Sequence, residues 1–187
     1  MRPIPELGGM TFRIFTAALA LLPFSTLGQT SMPDPRGFVV KVGEAVPDFT
    51  LTDLDGTEYS RESLLGTPYV LQFTASWCSV CRAEMPHLET EVWQAYQDRE
   101  GGFVLLGVDY DEPQTQVRAF AEQMRVTYPM CPDDAGAVFH SIAAKKSGVT
   151  RNVVVDRQGN IAMLTRLFDE TEFQTMVELL NELTSAP

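Results

Sequence analysis

Tyr69-Val70-Leu71-Gln72-Phe73, followed by Thr74-Ala75-Ser76-Trp77-Cys78-Ser79-Val80-Cys81, is the stretch that decides the fold. Its first five residues read as a buried strand and Thr74 to Trp77 as a short loop. From Arg82 onward a helix carries Met85, Leu88, Val92 and Tyr96 on one face. Cys78 therefore falls at a helix N-terminus, with Cys81 one turn later. Thiols at i and i+3 on a first helical turn lie close enough to close a small disulfide ring. Unsatisfied backbone N–H groups and the helix dipole favour a thiolate there, so Cys78 is expected below the ~8.5 of a free thiol. Only the thiolate attacks a disulfide sulfur. The spacing thus predicts that Cys78 attacks and Cys81 resolves.

Other uses of the pair fit less well. A zinc site needs two further ligands, and Cys131, His87 and His140 supply no second pair. A purely structural bridge over so short a ring removes little unfolded-chain entropy. Cys131 reads as a small semi-buried side chain, and the two histidines as ordinary packing or surface residues.

Working outward, Phe49 to Thr52 and Glu58-Tyr59 flank Asp53-Leu54-Asp55-Gly56, a hairpin signal, and Ser60 can cap a short helix through Leu65. Pro86 is expected to bend the helix that starts at Cys78. Phe103 to Val108 reads as a strand covered on both faces, Gln114 to Met124 as a helix, Val126 to Pro129 as a short extended piece, and Ala135 to Lys146 as a further helix. Val153 to Val155 and Ile161 to Thr165 flank the turn Asp156-Arg157-Gln158-Gly159-Asn160. Asp169 can cap the last helix, with Glu172 completing a box and Phe173, Met176, Val177, Leu180 and Leu183 repeating at helical spacing. This order predicts an α/β domain with a mixed central sheet flanked by helices.

The N-terminus carries Arg2 and Arg13, then the apolar run Ile14 to Leu22, then Pro23, Ser25 and Gly28. That is the pattern of a secretory signal peptide, and the run is short for a membrane span. The expected organisation is a signal peptide over residues 1–28, a flexible leader over 29–37 and one domain over 38–187. Localisation is then periplasmic or extracytoplasmic; membrane tethering by an uncleaved signal anchor is the alternative. In an oxidising compartment a dithiol stays oxidised unless electrons are supplied. No flavin or nicotinamide fingerprint occurs, so no cofactor beyond the Cys78–Cys81 disulfide is expected, and an external electron donor, conceivably membrane-bound, must set its state. With 25 acidic and 14 basic residues and a net charge of −11, nucleic acid and anionic membranes are poor partners.

Val42 to Leu51, Gln72 to Cys81, Glu84-Met85-Pro86 and Asp156 to Gly159 together resemble the exported thioredoxin-like proteins of the TlpA/ResA type, related to the AhpC/TSA redoxins. The similarity spans residues 40–183. It implies a thioredoxin-like fold with an N-terminal β-hairpin and a central strand-helix insertion near residues 109–130. It also implies thiol–disulfide oxidoreductase activity on protein thiols and disulfides, apocytochrome among them, by a monomer. The resemblance makes Cys78 the nucleophile, Cys81 the resolving thiol and Glu84 the acid that tunes the dithiol. Trp77 is a candidate aromatic platform for substrate.

Two departures stand out. Gln72 occupies the strand position where thioredoxins usually bury an acid, and an amide cannot accept a proton at neutral pH. The cis-proline that faces the dithiol in such proteins should fall at or next to Thr150, within Gly148 to Asn152, and no proline is there. A non-proline cis bond costs roughly 3 kcal/mol, so a trans loop is expected. Thr150 and Arg151 become candidate substrate-binding residues, Arg151 as an anion or thiolate stabiliser. The leading reading is an extracytoplasmic protein-disulfide reductase. A thiol peroxidase is one alternative, although Thr74 stands four residues before Cys78 and not three. A copper or apocytochrome carrier without turnover is the other.

Overall fold

The computed structural model describes Met1 and residues 34–185. The proposed signal peptide and residues 29–33 of the leader lie outside the described residues.

The central sheet has five strands in the order β5-β4-β3-β6-β7. These are β3 (Tyr69–Thr74), β4 (Val104–Tyr110), β5 (Met130–Asp133), β6 (Arg151–Val155) and β7 (Ile161–Arg166). A separate hairpin pairs β1 (Thr50–Thr52) with β2 (Glu58–Ser60). Strand β3 runs parallel to β4 and antiparallel to β6, so the sheet is mixed. Helix α1 (Ser79–His87) continues through a π-helical turn (Leu88–Trp93) into α2 (Gln94–Tyr96). Helices α3 (Gln114–Met124), α4 (Ala137–Ile142) and α5 (Glu170–Ser185) complete the domain. The region of the expected insertion, residues 109–130, holds α3, and the strand that follows it, β5, adds to the sheet edge beside β4.

The two-residue period of strands explains both cores. Tyr69, Leu71, Phe73, Leu106, Val108, Val153 and Val155 face one side, where they meet Phe38, Phe49, Leu51, Phe139 and Ile142. Val70, Leu105 and Val154 face the other, against Met85, Leu88, Val92, Phe120, Phe173 and Met176. With both faces covered, all six residues of β3 are buried.

Turn chemistry follows the sequence closely. Asp53 Oδ1 accepts from the amides of Asp55 and Thr57, and Asp156 Oδ1 from those of Gln158 and Asn160. Asp169 Oδ1 caps α5 through Glu172 N, but the Glu172 carboxylate turns to Arg166 N, so the capping box is half-formed. Pro86 sits inside α1 and the π-helical turn begins two residues later, the place where a missing N–H perturbs the ladder.

Three expectations are corrected. The extended piece placed at Val126 to Pro129 lies instead at Met130–Asp133, where Pro132 is tolerated because β5 is an edge strand. The helix read over Ala135 to Lys146 is only Ala137–Ile142, since Ala143 is extended and bridges to Phe38. Ser60 organises a turn, not a helix, by exchanging hydrogen bonds with Ser63. The end of the leader is also not free: Asp34 to Gly37 form a turn in which Arg36 donates to the Leu164 carbonyl and pairs with Glu172 at 3.5 Å.

Gly107 on β4 marks a close approach. A Cβ there would meet Met130 Sδ and lie 3.0 Å from Tyr128 Cε2. Gly107→Ala is expected to destabilise the protein by about 1–3 kcal/mol through overpacking. Urea unfolding should show a lower midpoint at unchanged slope.

Candidate active site

Strand β3 ends at Thr74, and four residues later the chain turns into α1 with Cys78 as its N-cap. Cys78 has extended backbone, and its Sγ accepts from Cys81 N at 3.2 Å. The sulfur thus takes the place of the capping oxygen that usually satisfies a first-turn amide. Cys78 and Cys81 form a disulfide, with Cα atoms 5.3 Å apart. Cys78 keeps 8% exposure, whereas Cys81 is fully enclosed.

Thr150 closes the site from the loop before β6. Its Oγ1 lies 3.1 Å from Cys78 Sγ and 3.2 Å from Cys81 Sγ. No cis peptide bond occurs among the described residues, so this loop is trans, as the missing proline implied. Trp77 is 63% exposed and rims a hollow of about 280 Å³ with Tyr110, Phe139, Lys146, Gly148 and Val149. It is a surface platform and not part of the core. Another hollow, of about 420 Å³, is lined by Asp53, Asp133, Asp134 and their neighbours and contains no residue of the dithiol.

Arg151 is placed differently from the expectation. It is fully buried on the face opposite α1, where it donates to the carbonyls of Arg36, Ser147 and Gly148. Its guanidinium also lies over the Phe38 ring, 4.4 Å from the centroid. Burial, with the nearby Arg166 charge, lowers its pKa to about 10. Fully buried, it presents no surface to a substrate, and its bonds to three carbonyls anchor the loop that carries Thr150.

Beneath α1 the sheet presents polar groups where an apolar stripe would be ordinary. Gln72 pairs with Asn152 across β3 and β6, and Thr74 with Asp109 across β3 and β4. Glu84 projects from α1 into this layer, where Asn152 Nδ2 donates to its Oε1 at 2.6 Å and to Thr165 Oγ1 at 3.0 Å. Its Oε2 has no hydrogen-bond partner, and burial pushes its pKa up to about 7, against the Asn152 bond that lowers it. Gln72 does not turn toward the sulfurs; its Oε1 accepts from Tyr128 OH at 3.4 Å.

A second acidic cluster was not anticipated from sequence. Glu112 receives Ser76 N and Ser76 Oγ, each at 2.6 Å, and so fixes the loop just before Cys78. Asp109, fully buried, has both oxygens without a donor, and burial beside Glu112 raises its pKa to about 8. The available signal was an acid directly after the buried apolar run of β4.

The remaining candidates are peripheral. Cys131 is fully buried, more so than expected, and burial lifts its thiol to about 12. His87 pairs with Glu91 at 2.7 Å, and His140 Nε2 lies 3.4 Å from Tyr110 OH.

A strand, a short loop, a paired thiol at a helix N-cap and an apposed loop before an antiparallel strand define a redoxin site, and residues 42–164 match the AhpC/TSA family. The chain belongs to the AhpC/TSA family. Within it, the thiol-disulfide oxidoreductase ResA of Geobacillus thermodenitrificans (strain NG80-2) is 29% identical over 150 residues, 79% of this chain and 83% of that protein. A solution structure from Bacteroides thetaiotaomicron, described as a protein disulfide isomerase, is 45% identical with a TM-score of 0.77, covering 80% of this chain and 94% of its own. A Chlorobium tepidum thiol:disulfide interchange protein, DsbE, shares the fold at 20% identity and TM-score 0.65, over 78% of this chain and 99% of its own. This AhpC/TSA chain is a TlpA/ResA-type thiol–disulfide oxidoreductase with a thioredoxin-like fold.

The raised Glu84 pKa has a thermodynamic sign. The folded group holds its proton above the ordinary 4.5, so its stabilisation is complete below that pH and is lost as pH rises through about 7. For Glu84→Gln, the stability difference from wild type should therefore change by about 3 kcal/mol between acid and mildly alkaline pH, wild type being relatively weaker on the alkaline side. Urea midpoints of the oxidised proteins across that range provide the check.

Proposed function

We propose that this chain is an extracytoplasmic protein-disulfide reductase in which Cys78 attacks and Cys81 resolves. The unequal burial of the two sulfurs supports this most directly. Cys78 alone keeps a solvent-facing surface, and it also receives the helix N-terminal amide.

In the reduced protein the Cys78 thiolate attacks one sulfur of a substrate disulfide. That bond breaks, a Cys78–substrate disulfide forms, and the departing substrate thiolate takes a proton. Cys81 then loses its proton and attacks Cys78 Sγ, which closes the Cys78–Cys81 bond and releases the second substrate thiolate. Two electrons leave the dithiol and one disulfide is reduced. Glu84, three residues beyond Cys81 and poised near neutrality by burial, serves as the group that balances the Cys81 proton. Trp77 offers an exposed face to the polypeptide around the target sulfur.

An external dithiol returns the electrons, and no bound cofactor is needed because the pair itself carries them. The basic, apolar and small-residue order of residues 2–28 supports export, as does the likeness to ResA and DsbE. Among the described residues no helix is long and apolar enough to cross a membrane. The chain acts as a monomer. The peroxidase alternative loses its anion-binding group, since the Arg151 guanidinium is held by three carbonyls.

Cys81→Ser removes the resolving step and should accumulate mixed disulfides between Cys78 and partner proteins in the compartment to which the chain is exported. They should disappear on treatment with dithiothreitol and be missing from the Cys78→Ser, Cys81→Ser double variant. If Cys81→Ser traps no partner while Cys78 still reacts with a maleimide, the reductase reading fails.

A further inference from the structure

The residue at the proline position makes contacts that a proline cannot. Thr150 is 2% exposed, and its hydroxyl oxygen stands almost equally far from both sulfurs, at 3.1 and 3.2 Å. Disulfide sulfurs carry no proton, so in the oxidised protein the hydroxyl can only donate, its single proton shared between the two sulfurs or given to one of them. Its position is well determined. Thr150 O accepts from Leu167 N at 3.2 Å, and the next side chain, Arg151, ties the carbonyls of Ser147 and Gly148 to the Arg36 segment.

We propose that Thr150 is a catalytic hydrogen-bonding residue whose hydroxyl relays between the two sulfurs and assigns the negative charge of the reduced pair to Cys78. A hydroxyl donates once and accepts as well. With the sulfurs at these positions, Cys81 S–H donates to Thr150 Oγ1 while Thr150 O–H donates to the Cys78 thiolate. Each bond polarises the next, so the chain Cys81–Thr150–Cys78 has a direction. Cys78 then has two donors, the hydroxyl and Cys81 N, whereas Cys81 keeps its proton until the mixed disulfide has formed. When Cys81 later attacks, no charge remains on Cys78, and the hydroxyl is free to turn toward the developing Cys81 thiolate. One rotor serves both half-reactions because it is equidistant from both sulfurs.

This role rests on the dithiol chemistry proposed above but is read from the thiols themselves. The test uses the full chain, reduced, with Thr150→Val and Thr150→Ser. Valine keeps the shape and deletes the hydroxyl; serine keeps the hydroxyl and deletes the methyl. A hydrogen bond to a charged group supports roughly a tenfold effect. Thiolate absorbance against pH should place Cys78 about one unit higher in Thr150→Val, with alkylation by iodoacetamide below that pH about tenfold slower. Equilibration with glutathione should move about tenfold toward the disulfide, or about 30 mV lower. Thr150→Ser should stay within about twofold of wild type in each measurement.

A Thr150→Val protein that titrates and alkylates like wild type overturns the proposal. Equal shifts in the valine and serine variants overturn it as well, because they would trace to packing of the methyl group. Failure of Cys81→Ser to trap partners would remove the protein-disulfide reading and leave these titrations unchanged, so the two failures are distinguishable.

Discussion

The site depends on how α1 is seated on the sheet. Met85, Leu88 and Val92 are fully buried against it, and this fixes both the rotation and the height of the helix. Rotation decides which side chains of the first turns point down. Cys81 and Glu84, three residues apart, are enclosed beneath the helix, while Cys78 at the cap remains at the edge. A shift of one residue in that packing would change which of the two cysteines is enclosed. The apolar contacts therefore specify which of the two thiols is enclosed.

The layer under the helix is costly. Glu84, Gln72, Asn152, Thr74 and Asp109 are buried where valine or leucine would pack without an unpaired atom. Burying polar groups is unfavourable unless partners are found, and here some are not: Glu84 Oε2, Gln72 Nε2 and both oxygens of Asp109 lack them. Such unmatched groups gather where protons must be held and released. The amide at position 72 illustrates a relocation. With an amide on the strand, a buried acid of this layer comes from the helix as Glu84, with Asn152 across the strand pair as its donor.

Much of this was readable from the chain. The apolar run at 69–73, the capping position of Cys78, the boundaries of Gln114–Met124 and the Asp156 turn follow from local rules, and the structure places them so. What escaped is non-local. Strand β5 carries Cys131-Pro132 and has no alternating pattern; it is a strand because β4 pairs with it. Helix α4 stops at Ile142 because Ala143 is needed for a bridge to Phe38, more than a hundred residues earlier. Arg151 looked like an anion binder because position and charge suggested it. Its true surroundings, three carbonyls and an aromatic ring, come from segments that sequence spacing does not join. Glu112 was silent for the same reason, since its partner Ser76 lies 36 residues earlier.

The anchoring of the Thr150 loop by an arginine bears on how the molecule behaves as acidity changes around it. The two acids under the helix change charge near neutrality, at about 7 and about 8. Arg151, even lowered to about 10, keeps its charge throughout that interval. Proton inventory and loop geometry are thus assigned to different residues. The enzyme can gain or lose protons beside the thiols while the strap that holds the opposing hydroxyl stays fastened, so its reactivity can follow pH without its architecture doing so.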